Sequence, residues 1–388
     1  MDPYFRPTRV EISLDALEHN FMAFRRALPD SLKLMAAVKA NAYGHGAVEV
    51  AREAIRCGAD YLGVAILDEA IELRNAGIKA PLLVLGYSPP EAIDTAVKHD
   101  ITLTVYTNEM LEAVERRPNR TEPLKIHIKI DTGMGRLGLV DEEEAIRFIS
   151  RAMQAEGVTV EGLFTHYAKA DEADKRYTRM QHERMQRIVA HFEGRGVRFP
   201  LLHAGNSAVA IDTPELSFNM IRLGISLYGL YPSEEVNRTT IQLEPVMSFK
   251  TGVVMAKKLP PGSGISYGCV YRTEEEEQIV TLPVGYADGF TRMLSGRAQV
   301  LIHGKRLPVV GRICMDQCMV NASELPDLRI GEEAVLIGKQ GDACITADEL
   351  ADILGTINYE ITCMVANRVP KVYVRTGKTV AVSNPLLH

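Results

Sequence analysis

From Leu32 to Leu223, short apolar runs alternate with stretches of helical periodicity, and that alternation leaves the chain few architectures. The strand-like runs are Leu32 to Lys39, Tyr61 to Ile66, Leu82 to Leu85, Ile101 to Tyr106, Leu124 to Ile130, Val158 to Thr165, Pro200 to His203 and Met220 to Leu223. Helical patterns separate most of them: Val48 to Arg56, Asp68 to Asn75, Glu91 to Lys98, Asn108 to Glu115, Glu142 to Met153 and Asp174 to Phe192. An earlier helix is expected over Ser13 to Leu28, with Leu14, Leu17, Phe21 and Phe24 on one face and Ser13 as N-cap. Eight strands with intervening helices fit a closed (β/α)8 barrel of the TIM type. A doubly wound open sheet shares the alternation and stays open as an alternative.

From about Gln242 the texture changes. Val246 to Leu259, Gln278 to Leu282, Gln299 to Ile302, Leu307 to Val310, Cys318 to Asn321, Ala334 to Gly338 and Val369 to Val374 are strand-like, and only Ala347 to Leu354 suggests a helix. Gly-rich turns such as Pro260-Pro261-Gly262 separate them, so a mostly antiparallel β domain is expected over 242–388, after a barrel over 1–241.

The sequence has 388 residues, 24% of them charged, with a net charge of -6. That balance gives no reason to expect a nucleic acid or an anionic membrane as partner. No apolar run reaches membrane-spanning length, and Met1 to Val10, polar with two prolines, does not read as a signal peptide. The six cysteines are scattered and read as reduced thiols of a cytoplasmic protein. Cys314 and Cys318 form a lone CxxxC, weak as a zinc signal, and no metal site is expected. The glycosylation patterns Asn119-Arg120-Thr121 and Asn237-Arg238-Thr239 carry no meaning in that compartment.

Lys39 closes the first strand run, at the end where α/β folds gather their chemistry. It reads either as a rim lysine snorkelling to solvent or as a partly desolvated amine able to form a Schiff base with a carbonyl compound. Tyr43, Gly44 and Gly46 follow, and the glycines allow close backbone approach to a bound group. The other strand ends are polar too: Lys129 and Asp131 to Arg136 after strand five, His166 after strand six, Asn206-Ser207 after strand seven, and Arg222, Gly224 and Ile225 at strand eight. Singly, each is better explained as a core histidine, loop ion pair, rim cation or helix cap. Gathered at one end of successive strands, they read together as a site, with the last two loops suited to a phosphate.

The segment Val38-Lys39-Ala40-Asn41-Ala42-Tyr43-Gly44-His45-Gly46 resembles the pyridoxal phosphate attachment motif of bacterial alanine racemases, and the resemblance extends over the chain. It implies that Lys39 forms the Schiff base with pyridoxal 5'-phosphate and that Arg222, in Asn219-Met220-Ile221-Arg222-Leu223-Gly224, faces the pyridine nitrogen. A guanidinium keeps its proton, so the ring nitrogen would stay unprotonated and side chemistry such as transamination be discouraged. Gly264-Ile265-Ser266-Tyr267-Gly268 is similar to the family's catalytic tyrosine segment, which makes Tyr267 the second base, assisted by His166. Gly311-Arg312-Ile313-Cys314-Met315-Asp316-Gln317 is similar to the block that binds the substrate carboxylate, giving Met315 and Asp316, and Arg136 matches an arginine contacting carboxylate and cofactor. Tyr43, Ser207, Gly224, Ile225 and Tyr359 match phosphate contacts, Tyr286 lies near the substrate entry path, and Lys129 matches a position carbamylated in many members.

The resemblance further implies a homodimer whose active sites are shared, with Tyr267 and Met315 donated by the partner, and a role in supplying D-alanine for peptidoglycan. The implied reaction is two-base racemisation of alanine, with serine as a slower substrate or a broader small amino acid racemase as the variant reading. A decarboxylase would place a carboxylate where Arg222 stands, and a cofactor-free aldolase would leave the phosphate-type loops unused. A non-enzymatic pyridoxal phosphate binding protein resembles the barrel alone.

Overall fold

The computed structural model describes residues 4–118 and 122–387, so the Asn119-Arg120-Thr121 pattern lies outside the described residues. The chain forms two compact units, one made of Leu17–Ala42 and Ala47–Glu244, the other of the chain before Leu17, Tyr43–Gly46 and the chain from Pro245 onward.

The first unit is an eight-stranded parallel barrel. Its strands run Lys33–Ala37, Tyr61–Val64, Leu82–Val84, Thr102–Val105, Leu124–Lys129, Val158–Phe164, Leu201–His203 and Met220–Leu223. Neighbours pair in parallel, and Met220–Leu223 returns to pair with Lys33–Ala37. Closure is completed where the Asn219 amide donates to the Leu202 carbonyl at 3.2 Å, which removes the open-sheet alternative. Parallel strands covered by helices are buried on both faces, and the pattern is nearly continuous burial from Met35, Tyr61 and Leu83 to Leu201 and Met220. Strand five departs from that rule. In Leu124–Lys129 the sequence LKIHIK alternates, and its polar residues His127 and Lys129 are buried all the same.

The second unit holds an antiparallel sheet with one parallel pair. Arg9–Ser13 lies between Met247–Gly252, antiparallel, and Lys371–Arg375, parallel. The run expected from Val246 to Leu259 is two strands, Met247–Gly252 and Met255–Leu259, and these pair with different partners. Lys378–Ser383, Ala343–Ile345, the small pair Gly264–Ile265 with Tyr271–Arg272, and helix Asn358–Cys363 were not expected from the sequence. They are short or lie at an edge, where periodicity carries little information. No helix among the described residues is long and apolar enough to cross a membrane.

Candidate active site

In the barrel unit the chain after strand Lys33–Ala37 takes an unusual course. Ala40, Asn41, Ala42 and Tyr43 all have φ between 51° and 54°, a full turn in the left-handed region. For L-residues this costs roughly 1–2 kcal/mol each, so the neighbouring groups must hold it in place. Glu69 does so: its carboxylate accepts from the Ala40 amide at 2.6 Å and from the Ala65 amide at 2.7 Å. The Asn41 side chain accepts from the Ala47 amide, and the Ala42 amide donates to the Val38 carbonyl. The buried Tyr228 hydroxyl donates to the Ala37 carbonyl, fixing the strand end that presents Lys39.

The two glycines of this loop serve a different purpose from the one expected. A Cβ on Gly44 would stand 2.1 Å from the Thr362 carbonyl oxygen, and one on Gly46 would stand 1.8 Å from the Tyr373 hydroxyl. The close approach they permit is to the protein's own chain rather than to a bound group.

Around the barrel axis, buried polar groups gather where the strands end. Arg222 donates through Nη2 to His166 Nδ1 at 2.8 Å and to the Thr165 and Ala204 carbonyls, and through Nη1 to His203 Nδ1 at 2.8 Å. Burial, and then the charges of Arg222, Lys129, Arg136 and Lys39, hold His166 well below the ordinary histidine range. The residues named for one site therefore lie within electrostatic reach of one imidazole. Lys129 is buried, its Nζ 4.4 Å from the centre of the Phe164 ring and without a hydrogen-bond partner among the described residues. Burial first, then Arg222 and Arg136, push its pKa far down, which favours a neutral amine. Arg136 itself is exposed, and its loop is shaped by Asp131, whose carboxylate accepts from the Gly133, Gly135 and Arg136 amides. Asp131 thus binds the Arg136 backbone.

A plain helix cap is the competing reading of Ser207. The cap is Asn206, whose side chain accepts from the Val209 amide. Ser207 Oγ instead accepts from the Gly224 amide at 2.9 Å, which leaves its own O–H to donate. Ile225 opens the next turn, and the buried hydroxyl of Ser226 has no hydrogen-bond partner among the described residues.

The β unit carries the other candidates. The Tyr43 and Tyr359 rings are 6.1 Å apart. Tyr267, Met315 and Asp316 line one open cavity, with Tyr267 69% and Met315 53% exposed. Ser266 at φ 59° and Gly268 at φ 74° bracket Tyr267, and the Ser266 hydroxyl donates to the Arg312 carbonyl at 2.6 Å. The Tyr286 amide donates to the Cys314 carbonyl and the Ala287 amide to that of Met315. Arg368 joins these loops by donating to Asp288 and to Asp316. Among the described residues no group of three metal-donor side chains converges.

Glu69, His203, His127, Glu161 and Arg368 are not among the site residues expected from the sequence. The alternation of LKIHIK was the available signal for His127. The others depend on partners far away in sequence.

Residues 12–232 match the model of the alanine racemase N-terminal domain and residues 246–373 that of the C-terminal domain. An alanine racemase of Desulfovibrio desulfuricans is 48% identical over 375 residues, covering 96% of this chain and 100% of that one. The solved alanine racemase of Clostridium difficile superposes with a TM-score of 0.94 at 42% identity, covering 99% and 100% of the two chains. That of Bacillus anthracis, solved with bound L-Ala-P, gives 0.94 at 42% identity and 99% of each chain.

Proposed function

The chain belongs to the alanine racemase family, and from that premise we propose that it interconverts L-alanine and D-alanine with pyridoxal 5'-phosphate held at the carboxyl ends of the barrel strands. The observation that carries the reading is Arg222 bonded to His166 and His203 at the strand ends, with the charges of Lys129, Arg136 and Lys39 acting on the same His166 imidazole.

The donor set suits the cofactor. Lys39 offers an amine for the covalent link, Arg222 a guanidinium fixed by two histidines, and Ser207 and Ser226 buried hydroxyls still able to donate. In this reading Asn206, Ser207, Gly224 and Ile225 hold the phosphate, with Tyr43 and Tyr359 added by the family resemblance, and Arg136, Met315 and Asp316 receive the substrate carboxylate. When bound, pyridoxal phosphate supplies a conjugated ring that takes up the electron pair left as the α-proton departs.

The protein's own part is proton handling. Lys39 Nζ and Tyr267 Oη address opposite faces of the α-carbon, so one removes the proton and the other returns one with inverted configuration. Arg222 cannot surrender its proton and so keeps the ring nitrogen unprotonated. His166, held neutral, assists Tyr267 without adding a positive charge.

Tyr267 and Met315 lie open on the β unit, which supports their being covered by a second copy in a homodimer with shared sites. Lys39→Ala chains mixed with Tyr267→Ala chains are expected to recover activity as subunits exchange. Lys129, neutral and next to two guanidinium charges, is suited to take up carbon dioxide as a carbamate, releasing a proton and turning a neutral amine into an anion. We place the reaction in the cytoplasm, supplying D-alanine for the cell wall.

The deciding experiment is incubation of the cofactor-loaded protein with L-alanine in deuterated water. Deuterated D-alanine is the expected product. Deuterium exchange with the L configuration retained would remove the second base, and no exchange would favour a binding protein.

A further inference from the structure

A line of polar groups runs through the barrel from Glu161, whose side chain is a quarter exposed, by way of two buried histidines to the buried Arg222. Glu161 lies beside Tyr61 and Thr102, which open their strands. Its Oε2 is 3.2 Å from His127 Nε2, His127 Nδ1 is 2.8 Å from His203 Nε2, and His203 Nδ1 is 2.8 Å from Arg222 Nη1. Both imidazoles are fully buried, and the His203 ring stacks on Phe164 with centroids 4.6 Å apart and planes 7° from parallel.

Hydrogen-bond chemistry allows this line one direction. A guanidinium only donates, so His203 Nδ1 accepts and its proton sits on Nε2. That proton points at His127 Nδ1, which must therefore accept, placing the second proton on His127 Nε2. There it meets a carboxylate, which only accepts. A donor-only group at one end and an acceptor-only group at the other leave a single arrangement of protons.

We propose that Glu161 is a positioning residue for Arg222, acting through His127 and His203 to hold the guanidinium in its donating geometry. The inference rests on the reading that Arg222 serves the racemisation. Without Glu161 the line is fixed from one end only. Either His127 Nε2–H goes unpaired, or both rings turn over and His203 presents Nδ1–H to another donor. Each arrangement loses one hydrogen bond relative to the intact line, so the energy separating the two directions falls and Arg222 is held less firmly.

The test is ring-15N-histidine NMR on the cofactor-loaded full chain, with turnover measured on the same samples. In the unsubstituted protein His127 and His203 are expected to show the pure Nε2–H tautomer. Glu161→Leu is expected to show mixed tautomers at both rings, with kcat lowered at least about tenfold and KM within about twofold. Glu161→Gln, which keeps an acceptor oxygen, is expected to restore the single tautomer and most of kcat. If Glu161→Leu does not fold, His127→Phe removes the acceptor for His203 and is expected to mix the His203 tautomer in the same way. Pure Nε2–H at both rings in Glu161→Leu, or at His203 in His127→Phe, would overturn the proposal. Mixed tautomers with kcat unchanged would instead overturn the role of Arg222 on which it rests.

Discussion

Arg222 Nη2 donates to His166 Nδ1 across 2.8 Å, joining two residues that the chain places 56 positions apart. The bond fixes the His166 proton on Nε2 and keeps a positive charge against the ring. Replacing Arg222 by alanine should therefore let His166 and His203 protonate more readily, since a cation that lowers both is gone. An upward move of both pKa values by NMR titration is expected, with racemisation reduced roughly 10²-fold or more. Unmoved titrations would show that burial alone sets them.

Tyr267 is mostly exposed on its own chain, so its hydroxyl contributes little to folding. Tyr267→Phe is expected to change unfolding free energy by no more than about 0.5 kcal/mol while lowering kcat by roughly 10²–10⁴-fold. A stable variant with ordinary turnover would remove it as second base.

Lys129 should react with carbon dioxide if it is neutral in the folded protein. With 13C-bicarbonate, a carbamate resonance is expected in the unsubstituted protein and absent in Lys129→Ala. The same resonance in both proteins would assign it elsewhere.

Gly285 has an extended backbone, so its lack of a side chain matters for space rather than for φ. A Cβ there would stand 2.3 Å from the Cys314 carbonyl oxygen and 2.4 Å from that of Met315. Gly285→Ala is expected to cost about 1–3 kcal/mol and to raise KM for alanine by shifting Met315. Unchanged thermal unfolding and KM would show that the two loops separate freely.

Acid should destabilise the fold in two stages. Burial holds His127, His166 and His203 below 6.5, so the unfolded chain binds protons that the folded one refuses, and stability falls as pH drops through about 6.5. Glu161 adds a second loss. Burial pushes its carboxyl up, but the bonds from His127 and Tyr61 outweigh it and bring it to about 2 from 4.5. Its contribution is present above about 4.5 and is lost between there and 2. Denaturant unfolding at a series of pH values should show the lower stage vanish in Glu161→Gln, and its persistence would assign that stage to other carboxylates.

The sequence by itself determined the alternation of eight strands with helices, because the strands are short apolar runs set between amphipathic helices and that signal is local, while closure into a barrel was decided by the pairing of the last strand with the first. It also placed Lys39, Lys129, His166 and Arg222 at strand ends, since each directly follows or closes an apolar run. What it left undecided depends on partners distant in the chain. Arg9–Ser13 reads only as part of a short extended start, and it is paired on both sides by strands more than 200 residues away. The turn from Ala40 to Tyr43 reads as a loop and contains no glycine to announce its left-handed course, and it is Glu69, from helix Leu67–Asn75 beyond the following strand, that holds it. The line from Glu161 to Arg222 draws on four strands, and only barrel closure brings donor and acceptor ends into register. Local periodicity fixes which residues are buried, while the pairing of polar groups inside is set by the tertiary fold, because a hydrogen bond is a relation between two places and not a property of either.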